Sequence, residues 1–280
     1  MRPVIKNYQR LRSVFSWPFG IFARLTAALI LLFSFTNSAS AVCQLLARAP
    51  EARVQLASLK ADEIKIRYIG HSTFELETPM GIRIATDYSD RYQPELIPTI
   101  VTMNRAHSSH YTLAPSPEIK HVLTGWNPEG GPIDHDLFEG DVRVRNIQTN
   151  IRNWVGETER LGNSIFIFEV ADLCLAHLGH LHHRLTEDDL LRLGQIDVVF
   201  AAIDNSNTLR VDSLMDVLEA ISPSVVIPMH FHFAGALETF TQRALAQGFA
   251  MNAVAEPDLI LSRATLPARK SVYLMHPEKH

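Results

Sequence analysis

Two hydrophobic rhythms divide this chain, and their order restricts the fold more than any other feature. From residue 64 apolar and polar residues alternate in short runs: Ile64–Ile69, Thr73–Thr78 and Ile82–Thr86, with turns at Gly70-His71-Ser72 and Pro79-Met80-Gly81. That period of two predicts half-buried strands in a meander. More strands are expected at Ile97–Thr102, His121–Thr124, Val142–Ile147, Ser164–Val170 and Leu173–Ala176, with a turn-rich stretch at Gly125–Gly140. From Thr186 the rhythm changes. The continuous apolar runs Val198–Ile203 and Val225–Pro228 predict fully buried strands. They alternate with helical segments: one capped by Thr186 with Glu187, Asp188 and Asp189 in its first turn, an amphipathic Val211–Ile221, and Leu237–Gln247 closed by Gly248. Strands first, then alternating strand and helix, predicts an α/β fold with sheets packed between helices.

With 280 residues, 46% hydrophobic and only 20% charged, the chain is long and apolar enough for one sizeable packed domain. Residues 1–41 hold five basic residues and no acid, then the apolar Leu25–Phe33 and an A-x-A-like site at Ala39-Ser40-Ala41. This predicts a cleaved secretory signal and a periplasmic or secreted protein, the alternative being an uncleaved membrane anchor. A lead-in is expected over 42–61, the domain over 62–266 and a tail over 267–280. Beyond residue 41 there are 21 basic and 30 acidic residues, a net charge near −9 that argues against a nucleic-acid partner. The only cysteines are Cys43 and Cys174. They read as two free thiols, with Cys174 inside a buried strand.

Three short segments gather histidines directly after strands: His107-Ser108-Ser109-His110, His177-Leu178-Gly179-His180-Leu181-His182-His183, and Pro228-Met229-His230-Phe231-His232. Loops at strand ends are where scaffolds present functional groups, and neutral imidazole is the commonest ligand for zinc and similar ions. A metal site needs three or four such groups from different parts of the chain, which this pattern can supply.

The ordered set Ile69-Gly70-His71-Ser72-Thr73-Phe74, Thr86-Asp87, the loop after a Val-Thr strand end, His177-Leu178-Gly179 and Ile227-Pro228-Met229-His230 resembles the metallo-β-lactamase fold. The branch it looks most like is that of the ascorbate-phosphate lactonase-like zinc hydrolases, over about residues 64–265. The resemblance implies a four-layer αββα sandwich with a site at one edge, and metal-dependent hydrolysis of an ester, lactone, amide or phosphodiester. Aligned without gaps, the family's H-x-H-x-D-H falls on Arg105-Ala106-His107-Ser108-Ser109-His110, so Arg105 replaces a His and Ser109 an Asp. His180 stands where the family has its bridging Asp, and the family's middle histidine has no counterpart near Thr149-Asn150-Ile151.

A fixed cation and two lost carboxylates disfavour a two-metal centre. The expectation is therefore one zinc ion held by His110, His180 and His230, with His107 or His182 as fourth ligand. Asp87 would orient a ligand imidazole. His71 would line the site or pack the strand end. Arg105 would bind an anionic small-molecule substrate, and Asp204 or one of His177, His182 and His183 would act as base. Two rival readings stand beside this hydrolase: a non-catalytic binding protein of the same fold, and a metal-free histidine network.

Overall fold

The computed structural model describes residues 59–153, 155–231 and 233–277. The segment predicted to be a signal and most of the predicted lead-in, with Cys43, lie outside the described residues, as does His232. The first sheet contains β1 (Glu63–Gly70), β2 (Thr73–Glu77), β3 (Arg83–Ala85), β4 (Ile100–Met103), β5 (His121–Thr124) and β13 (Asp258–Ser262), in the order β13-β1-β2-β3-β4-β5. Ile64, Ile66 and Tyr68 of β1 point inward, while Lys65 and Arg67 pair on the outer face with Glu77 and Asp258. A bulge at Tyr68–Gly70 ends the β1–β2 ladder and throws His71 clear of it.

The second sheet has eight strands: β6 (Asp136–Glu139), β7 (Val142–Arg152), β8 (Thr158–Val170), β9 (Leu173–His177), β10 (Val198–Ala202), β11 (Val225–Met229), β12 (Ala250–Ala253) and β14 (Ser271–Leu274). Their order is β12-β14-β11-β10-β9-β8-β7-β6. β9, β10, β11 and β14 run parallel, and every residue of β9, β10 and β11 is buried. This is the consequence of covering a parallel sheet on both faces.

One core cluster fills the space between the sheets, with Phe74, Leu76 and Ile84 against Phe166, Phe168 and Phe200. A second packs the outer face of the eight-stranded sheet against α1 (Glu187–Leu193), α2 (Val211–Ile221) and α3 (Ala234–Ala246) through Leu193, Leu214, Leu218 and Phe240. Thr186 caps α1 in a capping box with Asp189, as its sequence predicted. Sheet-on-sheet packing with outer helices is the predicted α/β sandwich. Among the described residues all three α-helices lie over the second sheet. Ala85, Val101 and Met103 of the first sheet are covered instead by Tyr88 and Ile119 from loops, with Tyr111 and Trp126 packed alongside.

Three readings of the sequence change. Residues 267–280 are not simply a tail: Ser271–Leu274 forms β14, an internal strand between β12 and β11, so the sheet extends beyond residue 266. The turn-rich segment Gly125–Gly140 also contains a strand that its sequence did not announce, because Asp136–Glu139 pairs with β7. Cys174 is not a free thiol: it is disulfide-bonded, and the chain's other cysteine lies outside the described residues.

Candidate metal centre

The site lies where strands end. The β1–β2 turn presents His71, β3 leads into Asp87, and the loop after β4 carries Arg105, His107 and His110. β9 leads into His180, β10 into Asp204, and β11 into His230. In open α/β sheets ligands are bound beyond the carboxyl ends of the strands, and here both sheets of the sandwich contribute such ends at one edge.

His71, His107, His110 and His230 each offer a ring nitrogen, and these nitrogens all lie within 4.8 Å of one another. The Nε2 of His107 is 3.2 Å from that of His110 and 3.3 Å from that of His230. His180 joins the cluster, its ring centroid 5.1–5.3 Å from those of His107, His110 and His230. His107 is solvent-exposed; the other four are buried.

Hydrogen bonds fix how these rings face. His110 Nδ1 donates to Asp87 Oδ2 at 2.5 Å, which turns its Nε2 lone pair toward the cluster. Asp87 is held by Asn104 Nδ2 at 2.9 Å, and Asn104 Oδ1 accepts from the Ser164 amide at 2.7 Å. Burial pushes the Asp87 carboxyl up to about 6, opposed by the nearby His177, the Asn104 hydrogen bond and His107. Burial, reinforced by the neighbouring histidines, holds His110 and His180 well below the ordinary histidine range, so both are neutral. Asp204 Oδ1 lies 3.7 Å from His230 Nδ1. Burial acts to raise the Asp204 carboxyl, but hydrogen bonds from Thr208, Ser206 and the Asn207 amide, with the field of His230, hold it below the usual carboxylate range.

The backbone is strained at this place. His71, Asp87 and His230 have φ of 54°, 42° and 56°, in the left-handed region that side chains avoid. Such residues cost about 1–3 kcal/mol each and persist only where the surroundings enforce them. Here the His71 carbonyl accepts from the His230 amide at 2.7 Å and from Tyr68 Oη at 2.9 Å, tying the two turns together.

The donor set fits a metal ion. His107 Nε2 approaches two other Nε2 atoms, and one ring nitrogen carries at most one proton, so hydrogen bonds alone cannot satisfy both contacts. Metal–nitrogen bonds of about 2.0–2.1 Å place two ligands of a tetrahedral ion about 3.3 Å apart, which is the spacing of the two contacts that His107 makes.

The remaining sequence candidates fall elsewhere. The Arg105 guanidinium pairs with Glu159 at 3.2 Å on an exposed rim. His182 bonds Thr158 Oγ1 and the Asn150 carbonyl, and His183 accepts from the Asn150 amide; neither is among the clustered rings. His177 is buried, donating from Nε2 to the Ser72 carbonyl at 2.9 Å and accepting the Gly179 amide at Nδ1, so it braces the turn that presents His180. Ser109, in place of a family carboxylate, contacts His107 Nδ1 at 2.6 Å. Sequence reasoning passed over Asn104 and Asn163. Only the position of Asn104, directly before the histidine loop, could have signalled it.

The profile of the β-lactamase superfamily domain matches residues 65–230. The chain is 25% identical over 187 residues to the UPF0173 metal-dependent hydrolase of Nanoarchaeum equitans, covering 60% of this chain and 84% of that one. Among solved structures it is similar to a metallo-β-lactamase superfamily protein of Thermotoga maritima, with a TM-score of 0.56, 23% identity and coverage of 77% and 100% of the two chains. It is also similar to a metallo hydrolase of Ignicoccus hospitalis, with a TM-score of 0.51, 17% identity and coverage of 71% and 99%. With its histidines gathered at one edge of a two-sheet sandwich, the chain belongs to the β-lactamase superfamily.

Proposed function

We propose that this protein is an exported, metal-dependent hydrolase that cleaves an ester, lactone or phosphodiester bond in a small molecule, using a single zinc ion. The observation that carries the reading is the convergence of His71, His107, His110 and His230 nitrogens within 4.8 Å, with His110 turned by Asp87. The metal-dependent hydrolase of Nanoarchaeum equitans supports the same reading. A zinc ion held there supplies Lewis-acid polarisation and lowers the pKa of water toward 7. The donor set supports a single ion: among the described residues no carboxylate belongs to the converging group.

The chain's own residues then have distinct tasks. Asp87 holds the His110 tautomer, and Asp204, fixed by three donors and 3.7 Å from His230 Nδ1, places a negative charge beside that imidazole. Arg105, on the rim, is placed to meet an anionic substrate only by leaving Glu159. Exposure of His107 gives solvent and substrate their approach. The disulfide at Cys174 supports an oxidising, extracytoplasmic location. A mature N-terminus near residue 42 in the periplasmic or secreted fraction is the expected result of N-terminal sequencing.

Elemental analysis of the purified mature protein should find about one zinc per chain after reconstitution. His110→Ala and His230→Ala should each release it and abolish hydrolysis on an ester, lactone and phosphodiester panel. A zinc content near zero in the reconstituted wild type would sink this reading. The second reading, a non-catalytic metal-binding protein, is favoured by Ser109 standing where the family has a carboxylate. Stoichiometric zinc with no turnover on any panel member would select it.

A further inference from the structure

The two longest strands of the fold overhang the site. β6 pairs with β7 only as far as Arg145, and β9 pairs with β8 only from Phe166, which faces His177 at the strand end leading to His180. Among the described residues, the strand segments within 146–165 therefore pair only with each other, and they project past that edge as a two-stranded arm.

The shape of the arm is fixed. Its register shifts between Thr149 and Ile151, Leu161 takes a φ of 61°, and a Cβ on Gly162 would stand 2.7 Å from Ile151 Cγ1. Such a bulge bends a strand and re-aims its side chains. Loops from both sheets hold it: the Arg105 amide donates to the Gly162 carbonyl at 3.0 Å, and His183 Nε2 accepts from the Asn150 amide at 3.2 Å.

Thr158 and Arg160 are exposed, but Glu159 between them is half-buried, with its Oε1 3.2 Å from Arg105 Nη1. Arg105 stands two residues before His107, the exposed ring of the cluster. Arg67 grips Asp258 through two hydrogen bonds of 2.6 and 2.9 Å, whereas Arg105 meets Glu159 through an ion contact alone. The Arg105 side chain is 56% exposed, and exposed ion pairs add little to stability. A guanidinium so held is open to exchange with another oxyanion, for which its fork of donors is suited.

We propose that Glu159 is a specificity-determining residue: its carboxylate occupies the Arg105 guanidinium in the free protein and yields it to a carboxylate or phosphate group of the substrate. A neutral substrate gains nothing from Arg105, and an anionic one gains the guanidinium less what Glu159 held. For its place in a reaction this rests on the hydrolase reading above; the exchange itself is a binding event that needs no turnover.

The test is calorimetric titration of the purified mature protein with inorganic phosphate and, separately, succinate, at low ionic strength where exposed charges are least screened. Glu159→Gln keeps the shape and removes the charge, and should tighten binding about three- to tenfold, the strength of an exposed pair with its repulsion of the incoming anion added. Arg105→Gln should weaken binding about tenfold or more. In the Arg105→Gln background Glu159→Gln should bring no gain, because the two act through one contact. Glu157→Gln, whose carboxylate meets Asn153 in the turn, removes the same charge from the arm and should change affinity less than about twofold. The more tightly held anion identifies the group on the substrate. On bis(p-nitrophenyl) phosphate, Glu159→Gln should lower KM by the factor seen in binding and leave kcat within about twofold, the pattern of binding gained equally in ground and transition states. A Glu159→Gln protein that binds neither anion better than the wild type, the same gain in the Arg105→Gln background, or an equal gain from Glu157→Gln would overturn the exchange at Arg105. The binding pattern as expected, with no turnover by any form, would overturn the hydrolase reading and leave the exchange standing.

Discussion

At the scale of single residues, the site depends on side chains that orient others. Asp87→Asn keeps the shape but loses the anionic acceptor that turns His110, so zinc affinity should fall about 10–100-fold, as for other partners of ligand histidines. Competition with a chromophoric chelator measures it, and an unchanged affinity would remove Asp87 from this role. Gly179→Ala places a methyl against Asn163 and Asn104 in a backbone that disfavours it, and should destabilise the fold by about 1–3 kcal/mol in urea denaturation. His110 and His230 were legible as candidates because each follows an evident strand. His71 was harder to rank. Its neighbours Gly70 and Ser72 read as an ordinary hairpin turn, and only the bulge in β1 shows that it leaves the ladder toward the other histidines. His182 illustrates the opposite case: two residues beyond His180 in sequence, it faces Thr158 and the Asn150 carbonyl of the β7–β8 hairpin.

At the scale of elements, local signals worked where they were self-contained. The Thr186 capping box depends on residues three apart, and the structure contains it. Thr186→Ala should cost about 1 kcal/mol, read from a shift in the urea midpoint with the slope unchanged. β14 shows where such signals fail. Ser271–Leu274 is short and follows a Pro- and charge-containing segment, so nothing nearby distinguishes it from a tail. Its strand character comes from pairing with β11 and β12, and Val272 is fully buried by that pairing. Truncation after Leu266 would remove β14 and open one edge of β11. The truncated protein should lose cooperative thermal unfolding or aggregate, as size-exclusion chromatography and calorimetry would show; a stable monomer with a wild-type melting temperature would contradict this role for β14.

At the scale of the whole molecule, the buried histidines couple stability to pH. Burial holds His110, His177 and His180 below the ordinary histidine range, so the unfolded chain binds protons there more tightly than the folded one. Their contribution is present above the unfolded histidine pKa, about 6.5, and is lost as pH falls below it. Asp87 acts the other way: raised to about 6, it favours the folded state as pH falls from about 6 toward 4. Three imidazoles oppose one carboxyl. The melting temperature of the metal-free protein should therefore drop between pH 7.5 and pH 5.5, and a flat or rising profile would refute this account.

The order of hydrophobic rhythms by itself pointed to an α/β fold with sheets packed between helices, because burial on one face or on two writes period-two and continuous runs directly into the chain, and the sandwich itself came with the family resemblance. The spacing of histidines after strands likewise pointed to the loops that meet. Which imidazoles converge was decided only in three dimensions. A bulge, three left-handed residues and the crossing of two sheets bring His71, His107, His110, His180 and His230 together from separate segments. Those contacts span the whole domain in sequence, and no local pattern encodes a meeting between residues that distant.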